Sequence, residues 1–380
     1  YLEMLKKYNH NFIRLWTWEL TKFQYKKKPI KYATPFPWQR TGPGLALDGK
    51  PKFDLSKFNQ SYFDRLRSRV IAAMERGVYV SIMLFEGHGL QSSLAPWRWD
   101  GHPFNVNNNI NGINGDPNGD GKGMEIHTLQ IPEVNDIQKA YVKKVIDTVN
   151  DLDNVLYEIV NEADLSSKDW QYHMINYLKK YEASKPKQHP VGMTSYLNPK
   201  NSDLFNSPAD WISPGWTIWG NDPYQVNPPV SDGSKVVLLD TDHLWGEGGD
   251  RTWVWKSFLR GYNPIYMDNL SSDVVKEDVR RAMGHTLTYA NKMNLKSMFP
   301  RNDLSTTTYC LANPGVEYLI YQPKPNESFA VNLDAGTYVY EWFNTNNGTI
   351  VSSGVFTAKS GNRSFLAPFI GDAVLYIYKQ

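Results

Sequence analysis

The chain has 380 residues, of which 41% are hydrophobic and 21% charged, and its formal net charge is +2 at pH 7. This length exceeds that of one ordinary core and predicts a large domain plus a smaller one. The near-neutral charge argues against nucleic acid as a partner, and no apolar run reaches the ~18 residues of a membrane span. The single cysteine, Cys310, excludes an intrachain disulfide framework and argues against a thiolate metal cluster.

Short apolar runs alternate with helical patterns over the first three quarters of the chain, which predicts β/α units and a parallel sheet. The predicted strands lie at residues 11–18, 78–85, 155–162, 190–194, 211–213, 235–240 and 264–267. The predicted helices lie at residues 1–8, 61–76, 132–152, 169–184, 251–260 and 273–292. Gly77 is expected to end the second helix and Pro132 to open the third. The pattern predicts an α/β fold, a (β/α)8 TIM-type barrel. Only seven strands are predicted, so either the first strand precedes Tyr1 or another element closes the barrel.

From about residue 300 the pattern changes to short alternating strands separated by turns. These strands are predicted at residues 316–321, 328–331, 336–343, 349–356, 363–366 and 373–378. Asn347-Gly348 is a hairpin signal, because both residues tolerate the positive φ of a tight turn. We therefore expect a β/α-barrel domain over 1–299 and a small all-β sandwich domain over 300–380.

The apolar run that starts at Val155 ends in Asn161-Glu162, which places a carboxylate beside an amide at the end of a strand. In a β/α barrel, the C-terminal ends of the strands carry the chemistry. A carboxyl group held there is suited to proton transfer to a leaving-group oxygen. The structural alternative is that Glu162 lies in the first turn of a helix, where acids are favoured.

A second carboxylate is expected to follow the strand at 235–240. Retaining glycoside hydrolysis needs two carboxyl groups about 5–5.5 Å apart, one as acid and one as nucleophile. Asp240 and Asp242 share the parity of that strand, so we expect both side chains to point the same way, with Asp240 the preferred nucleophile. The structural alternative is that one aspartate caps the next helix or pairs with an arginine.

Other candidate substrate-binding residues cluster at predicted strand ends. Arg14 lies within a strand, where a charge is costly unless paired, so its partner is either a carboxylate of the site or a structural ion partner. His88 and Glu19 each have two interpretations, contact with a sugar hydroxyl or a structural role. Aromatic residues make up 14% of the chain, and a Trp face stacks well on a sugar ring. The further candidates are Asn161, Glu86, Trp16, Trp18, His243, Trp245 and Tyr196.

The segment from Asp116 to Lys122 matches the first half of a calcium loop, with oxygen ligands at Asp116, Asn118 and Asp120 and a glycine at the sixth position. The twelfth position is His127, where a bidentate Glu is expected, although Glu125 could substitute. The sequence therefore offers a structural Ca²⁺ site, and the alternative is a plain polar loop. No cofactor is otherwise expected.

Over roughly residues 1–300 the pattern resembles the clan A glycoside hydrolases, family 5 and its relatives. Asn161-Glu162 looks like their acid/base signature on strand four, and Arg14 and His88 match the plan of strands two and three. The resemblance implies a retaining glycosidase with a carbohydrate substrate. The clan has a Glu nucleophile ending strand seven, whereas this chain has Asp240-Thr-Asp242 there, so the nucleophile stays open.

More narrowly, the segments Asp240-Thr-Asp-His-Leu-Trp-Gly and Phe258-Leu-Arg-Gly-Tyr-Asn-Pro look like those of a bacterial group of such barrels. Members of that group often carry a C-terminal module named for collagen binding, and residues 300–380 are similar to it. The resemblance implies polysaccharide degradation by a secreted or periplasmic bacterial protein. Residues 1–8 read as a helix and not as a signal peptide, so we expect any signal to precede Tyr1.

Two other functions are weighed against the hydrolase. A non-catalytic carbohydrate-binding protein on a decayed barrel is favoured by the missing first strand and by aspartate in place of the nucleophilic glutamate. A polysaccharide lyase needs a base and a neutralising group for uronates, and no basic cluster centred on Tyr or His stands out. The hydrolase is the leading hypothesis.

Overall fold

The computed structural model describes residues 1–23, 31–91, 96–195, 200–216, 222–268 and 276–380. The chain divides into two compact units. The parallel-sheet unit is Asn11–Gly215, and the C-terminal unit combines Tyr1–His10 with Trp216–Gln380. The structure thus groups residues 216–299 with the all-β region, and the domain boundary expected between 299 and 300 stays a prediction. None of the helices in the described ranges has the length and apolar character that a bilayer crossing needs.

Nine α-helices lie within these ranges: α1 Leu2–Lys7, α2 Gln60–Met74, α3 His88–Gln91, α4 Pro132–Val149, α5 Lys168–Glu182, α6 Asn201–Phe205, α7 Pro223–Val226, α8 Arg251–Leu259 and α9 Glu277–Lys292. The strands of the parallel-sheet unit are β1 Phe12–Leu15, β2 Lys22–Phe23, β3 Lys31–Tyr32, β4 Trp38–Leu45, β5 Pro51–Phe58, β6 Tyr79–Glu86, β7 Val155–Asn161, β8 Val191–Thr194 and β9 Trp211–Ser213. Those of the C-terminal unit are β10 Val236–Asp240, β11 Asn263–Ile265, β12 Phe299–Pro300, β13 Cys310–Asn313, β14 Glu317–Gln322, β15 Phe329–Leu333, β16 Gly336–Asn344, β17 Thr349–Ala358, β18 Gly361–Phe365 and β19 Ala373–Lys379.

The parallel-sheet unit is mixed α/β, and its main sheet has the order β1-β6-β7-β8-β9 with every pair parallel. The central strands β6 and β7 are buried along almost their whole length, as expected of a parallel sheet covered on both faces. The five strands make a curled half-barrel, which agrees with the predicted α/β fold. Closure into an eight-stranded barrel, with a strand before Tyr1, stays a prediction.

Helix boundaries follow the local signals in the sequence. Pro132 occupies the first turn of α4, where its missing N–H is not needed. After α2 the chain reverses at Gly77, whose φ of 69° is in the left-handed region, and Val78 N–H bonds the carbonyl of Ala73. Both predicted boundaries are confirmed.

The long segment predicted as a loop before α2 contains two small antiparallel pairs, β2–β3 and β4–β5. The longer pair changes register twice, once between Arg40 and Leu45, where Gly42 and Gly44 take positive φ. This irregularity removes the two-residue alternation by which a strand is recognised in sequence.

In the C-terminal unit β10 and β11 form a parallel pair, with Asp240 opposite Ile265. Its all-β region has a six-stranded antiparallel sheet in the order β12-β13-β14-β19-β16-β17 and a two-stranded sheet of β15 and β18. One core joins the two sheets, with Val331 and Leu333 packed among residues such as Tyr338 and Leu375. Asn347-Gly348 lies in the turn between β16 and β17, with Gly348 at φ 74°, as the hairpin signal predicted.

Helices α8 and α9 pack on the residues of the six-stranded sheet through a second aromatic cluster. Trp255 is fully buried, stacks on Tyr321 with ring centres 6.2 Å apart, and also contacts Tyr289 and Phe343. The Tyr289 hydroxyl donates to Glu341 Oε1 at 2.9 Å. These contacts explain why residues 216–299 belong to one compact unit with the all-β region.

Candidate functional site

The carboxyl ends of β6 and β7 bring four of the predicted site residues together. Glu86 and Asn161 are register partners at the ends of these strands, and Gly87 N–H donates to the Asn161 carbonyl at 2.8 Å. Glu162 follows Asn161 directly, and His88 opens the short helix α3 after β6. The sheet therefore collects an amide, two carboxyl groups and an imidazole at one edge.

Glu162 is the most exposed acid of this edge and its backbone is strained. Its φ is 44°, a left-handed conformation that non-glycine residues rarely adopt and that tends to occur at functional sites. Its side chain is 28% exposed, and His88 Nδ1–H donates to Glu162 Oε2 at 2.8 Å. The hydrogen bond to Glu162 raises the pKa of His88 despite partial burial. The pair is a carboxylate and an imidazole that share a proton at the surface.

The turn that carries His88 fits closely against the segment after Glu162. A Cβ atom on Gly87 would lie 2.3 Å from the Ala163 Cα, so only glycine fits at that position. Arg98 Nη1 donates to the His88 carbonyl at 3.2 Å and holds the turn from the other side. The His88–Glu162 hydrogen bond therefore joins two backbone segments that are packed closely together.

Arg14 has a buried carboxylate partner that the sequence analysis did not identify. Its guanidinium donates to Glu158 through Nε at 2.9 Å and Nη2 at 2.6 Å, and Nη2 also donates to Asn161 Oδ1 at 2.7 Å. Glu158 is fully buried and accepts a further bond from Thr194 Oγ1 at 3.2 Å. The arginine thus fixes the Asn161 amide beside Glu162. The signal available in the sequence was that β7 contains a charged residue, Glu158, within its apolar run, as β1 contains Arg14. Two opposite charges inside neighbouring strands are expected to pair.

Glu86 is buried, so a direct contact with a sugar, as predicted for it, does not fit this structure. It is 1% exposed, and both of its carboxyl oxygens accept the N–H of Gly89 at 3.1 Å. Burial raises the pKa of Glu86 to about 8, with the nearby carboxylates of Glu19 and Glu162 adding to the shift and His88 opposing it. Burial therefore favours the uncharged carboxylic acid form of Glu86.

Glu19 takes the structural one of its two predicted roles. It is 8% exposed, and its oxygens face His102 Nε2 at 3.5 Å and His127 Nε2 at 3.2 Å while one also accepts the N–H of Glu86 at 2.7 Å. Burial opposes its ionisation, but the two histidines outweigh burial and lower the pKa of Glu19 to about 2. His102 and His127 anchor the loop between α3 and α4. No local sequence pattern indicates this role, because only the fold brings the two histidines to Glu19.

The aromatic candidates at the end of β1 are well placed to meet a ligand. Trp16 is 50% exposed, and its ring meets Trp18 edge-on with centres 5.6 Å apart. This exposed indole face keeps the predicted role of a sugar platform open. Tyr196, another candidate substrate-binding residue, lies outside the described residues.

Asp240 and Asp242 belong to the C-terminal unit, and the alternation of side chains along a strand does not relate their directions. Strand β10 ends at Asp240, and residues 241–243 form a 3₁₀ turn, so the strand parity that was expected to align the two side chains does not apply. Asp240 is 2% exposed and its Oδ1 caps this turn by accepting the N–H of Asp242 at 2.9 Å. This cap matches the structural alternative for Asp240. Asp242 is half-buried.

Two further candidates follow in the same segment. His243 is 6% exposed, which leaves little of its side chain for a ligand, whereas Trp245 is 38% exposed. The Trp245 ring meets Trp253 edge-on with centres 5.5 Å apart. The pairing of Glu162 with either aspartate across one sugar stays a prediction.

The predicted calcium loop is held together by its own hydrogen bonds. Asp116 Oδ2 accepts the N–H of Gly121 at 2.9 Å, and Asn118 Oδ1 accepts that of Asp120 at 2.8 Å. Asn118 also bonds Glu125. Among the described residues, no group of three or more His, Cys, Asp or Glu side chains is placed to hold a metal ion. The Ca²⁺ site stays a prediction.

Known proteins resemble this chain in fold. Residues 29–203, less than half of the chain, match a family described as a domain of unknown function, DUF6298. No curated protein matches the sequence. A glycoside hydrolase family 5 protein from Bacteroides vulgatus has 12% identity and a TM-score of 0.63, covering 100% of this chain and 85% of its own.

Two more solved structures are similar over this whole chain. One, named a glycoside hydrolase, has 13% identity and a TM-score of 0.60, with 88% of its own length covered. The other, a second Bacteroides vulgatus protein provisionally named a glycoside hydrolase, has 14% identity and a TM-score of 0.66, with 75% covered. At these identities the similarity establishes the fold that the chain shares with glycoside hydrolases.

Proposed function

We propose that the protein is a retaining glycoside hydrolase acting on an oligo- or polysaccharide. The observation that carries the proposal is Glu162, a partly exposed acid with strained backbone at the carboxyl end of a buried parallel strand. Its neighbours Asn161 and His88 supply hydrogen-bonding groups, and Trp16 offers an exposed indole face. The fold shared with glycoside hydrolases supports the same activity.

In this mechanism Glu162 protonates the departing glycosidic oxygen and then activates the water that completes hydrolysis. Asn161 was predicted to bind the sugar 2-hydroxyl, but it is 2% exposed and its Oδ1 accepts from Arg14, so in this proposal it positions Glu162. Asp240 or Asp242 attacks the anomeric carbon, and Asp242, which is half-buried, is favoured because Asp240 is 2% exposed and its Oδ1 caps the 3₁₀ turn. An Asp is one methylene shorter than the Glu that the resemblance implies, so the sugar would have to approach the backbone by about 1 Å more.

The replacement Glu162→Gln tests the acid role. With natural glycans, whose leaving groups need protonation, we expect kcat to fall by about 10²-fold or more. With aryl glycosides that carry an activated leaving group, the first step should survive and the second should slow, because no base activates water. The measurement is steady-state kinetics on both substrate types.

Asp164→Asn is the matched control, because Asp164 lies two residues away and only caps a 3₁₀ turn through Ser166 N–H. An Asn caps equally well, so this variant should keep its activity. Full activity of Glu162→Gln on a natural glycan would refute the acid assignment.

The second candidate is a carbohydrate-binding protein without turnover. The specific observation in its favour is that Glu162 Oε2 accepts the hydrogen bond of His88 Nδ1, whereas a general acid must donate a proton. A glycan array combined with a hydrolysis screen separates the two functions. Binding without turnover, unchanged in Glu162→Gln, would select the binding protein.

We also propose that the protein is bacterial and secreted or periplasmic, and that its C-terminal all-β region is the accessory module suggested by resemblance. The support is the sequence similarity of residues 300–380 to that module and the Bacteroides origin of two fold neighbours. Fractionation of the source cells tests the location directly.

A further inference from the structure

Glu86 is a buried titratable group that the proposed mechanism does not yet use. Building on the proposed function, we propose that Glu86 is a positioning residue that operates as an uncharged carboxylic acid beside the His88–Glu162 pair. It fixes the turn that carries His88, and its lack of charge leaves the proton of that pair able to reach Glu162.

The positioning part follows from contacts of the turn after β6. Both Glu86 carboxyl oxygens accept the N–H of Gly89, one residue beyond His88. A Cβ on Gly89 would lie 2.8 Å from Glu86 Oε2 and 2.7 Å from a Leu20 methyl carbon, so the turn can approach only because residue 89 is glycine. Together with the close contact of Gly87 with Ala163, this fixes His88 opposite Glu162.

The charge part follows from the groups that face Glu86. Glu19 accepts the Glu86 backbone N–H from the segment after β1, and Glu162 follows β7. The cations are His88 on α3 and Arg98 in the 3₁₀ helix at 96–101. Behind Glu19 lie His102 and His127, whose Nε2 atoms face the Glu19 carboxylate. At the 1% exposed Glu86, burial and the nearby carboxylates of Glu19 and Glu162 oppose ionisation more strongly than His88 and Arg98 favour it, so the neutral acid is favoured.

An ionised Glu86 would change where the shared proton resides. Its charge acts more strongly on His88 than on Glu162, so ionisation stabilises the imidazolium and leaves Glu162 as a carboxylate. A carboxylate cannot protonate a leaving group. While Glu86 is neutral, the His88–Glu162 pair can therefore protonate a leaving group. This ability should be lost as pH rises through about 8.

The test uses the full chain and needs no substrate. Infrared spectroscopy across about pH 8 should show one buried protonated carboxyl, seen as its C=O stretch, converting to carboxylate in the wild-type protein. Glu86→Gln should lack this conversion. Glu182→Gln is the matched control, because Glu182 is equally buried and bonded to a histidine, His189, distant from the site, and this variant should retain the conversion.

The His88 imidazole provides the second readout, by NMR of protein with labelled histidine and with His88→Gln to assign its resonance. In the wild type His88 should report an inflection near pH 8, and Glu86→Gln should remove it. A wild-type protein without a carboxyl that ionises near this pH overturns the inference, as does a His88 titration unchanged by Glu86→Gln. Both results are independent of whether the protein hydrolyses a glycoside.

The pH profile of hydrolysis tests the catalytic consequence separately. The alkaline limb of kcat in the wild type should move to higher pH in Glu86→Gln, with KM little changed. If the alkaline decline of kcat occurs at the same pH in Glu86→Gln as in the wild type, the positioning role is overturned. Absence of the infrared signal in the wild type refutes the inference even if Glu86→Gln does not fold.

Discussion

At the scale of single residues, buried charges in the parallel-sheet unit occur in compensated groups. Glu158 is fully buried and depends on Arg14, which is bonded to it twice. Removing one partner of a buried pair costs more than removing both, because the remaining charge has no compensation. The pair therefore has a stability role in addition to placing Asn161.

We expect Arg14→Met to lower the free energy of unfolding by about 3–5 kcal/mol. The double variant Arg14→Met with Glu158→Met should recover part of that loss, because it leaves no uncompensated carboxylate. Urea unfolding of the single and double variants measures both. This explanation would be contradicted if the double variant lost more unfolding free energy than the two single variants lose in total.

Glu19 gives the protein an acid-sensitive component of stability. Its pKa is lowered on folding from 4.5 to about 2, so its stabilising contribution is complete above the unfolded value and is lost as pH falls towards 2. Glu19→Gln should remove about 3 kcal/mol at neutral pH and flatten the acid side of the stability profile. Melting temperatures across acid pH test this, and an unchanged acid limb in the variant would exclude the role.

The contribution of Glu86 to stability changes with pH in the opposite direction to that of Glu19. Its pKa is raised from 4.5 to about 8, so folding holds a proton that the unfolded chain releases, and its contribution to stability declines as pH rises between these values. Glu86→Gln should therefore gain stability over the wild type at alkaline pH and not at acid pH. The two buried glutamates, joined by one backbone hydrogen bond, thus respond to pH in opposite directions.

At the scale of elements, the strands β8 and β9 pack around a single glycine. A Cβ on Gly192 would lie 1.9 Å from the ring of Trp211 on the neighbouring strand. Gly192→Ala should therefore destabilise the unit by about 1–3 kcal/mol through overpacking. Gly336→Ala is the control, since a Cβ there meets only ordinary contacts of 3.4 Å or more. Equal melting temperatures of the two variants would contradict the packing argument.

The sequence predicted elements more reliably than side-chain geometry. All seven predicted strands of the α/β region form, because most are short apolar runs with clear boundaries, such as Gly77 before the strand at Tyr79. The parity argument for Asp242 was wrong, because the strand ends at Asp240 and the chain turns immediately.

Other features depend on contacts that no local pattern reveals. Glu158 was missed because its partner is 144 residues away in the chain. Burial of Glu19 and Glu86 was missed because it arises from loops folded over the strand ends. Within the site, the sequence thus located Glu162 and His88 but could not tell which neighbouring acids stay covered.

At the scale of the whole molecule, we expect a buried tryptophan of the C-terminal unit to stabilise the fold and an exposed tryptophan of the parallel-sheet unit to bind a ligand. Trp255 is fully buried against Tyr321 of the six-stranded sheet, whereas Trp16 is half exposed at the end of β1. Trp255→Ala should cost about 3–5 kcal/mol and destabilise α8 and the all-β region together. Trp16→Ala should change stability by less than about 0.5 kcal/mol and weaken glycan binding.

Thermal unfolding and glycan binding, measured on both tryptophan variants, separate these roles. The account requires that the stability loss belong to Trp255→Ala and the binding loss to Trp16→Ala. The reverse assignment would contradict the description of both units.

The central claim is that the protein is a retaining glycosidase that forms a covalent intermediate on an aspartate. The most direct measurement is covalent trapping with a panel of 2-deoxy-2-fluoro glycosides bearing activated leaving groups, followed by peptide mass spectrometry. The account predicts one glycosyl group attached to Asp240 or Asp242. Attachment to Glu162 or to another residue, or turnover of these glycosides with inversion and no trapped intermediate, would contradict it.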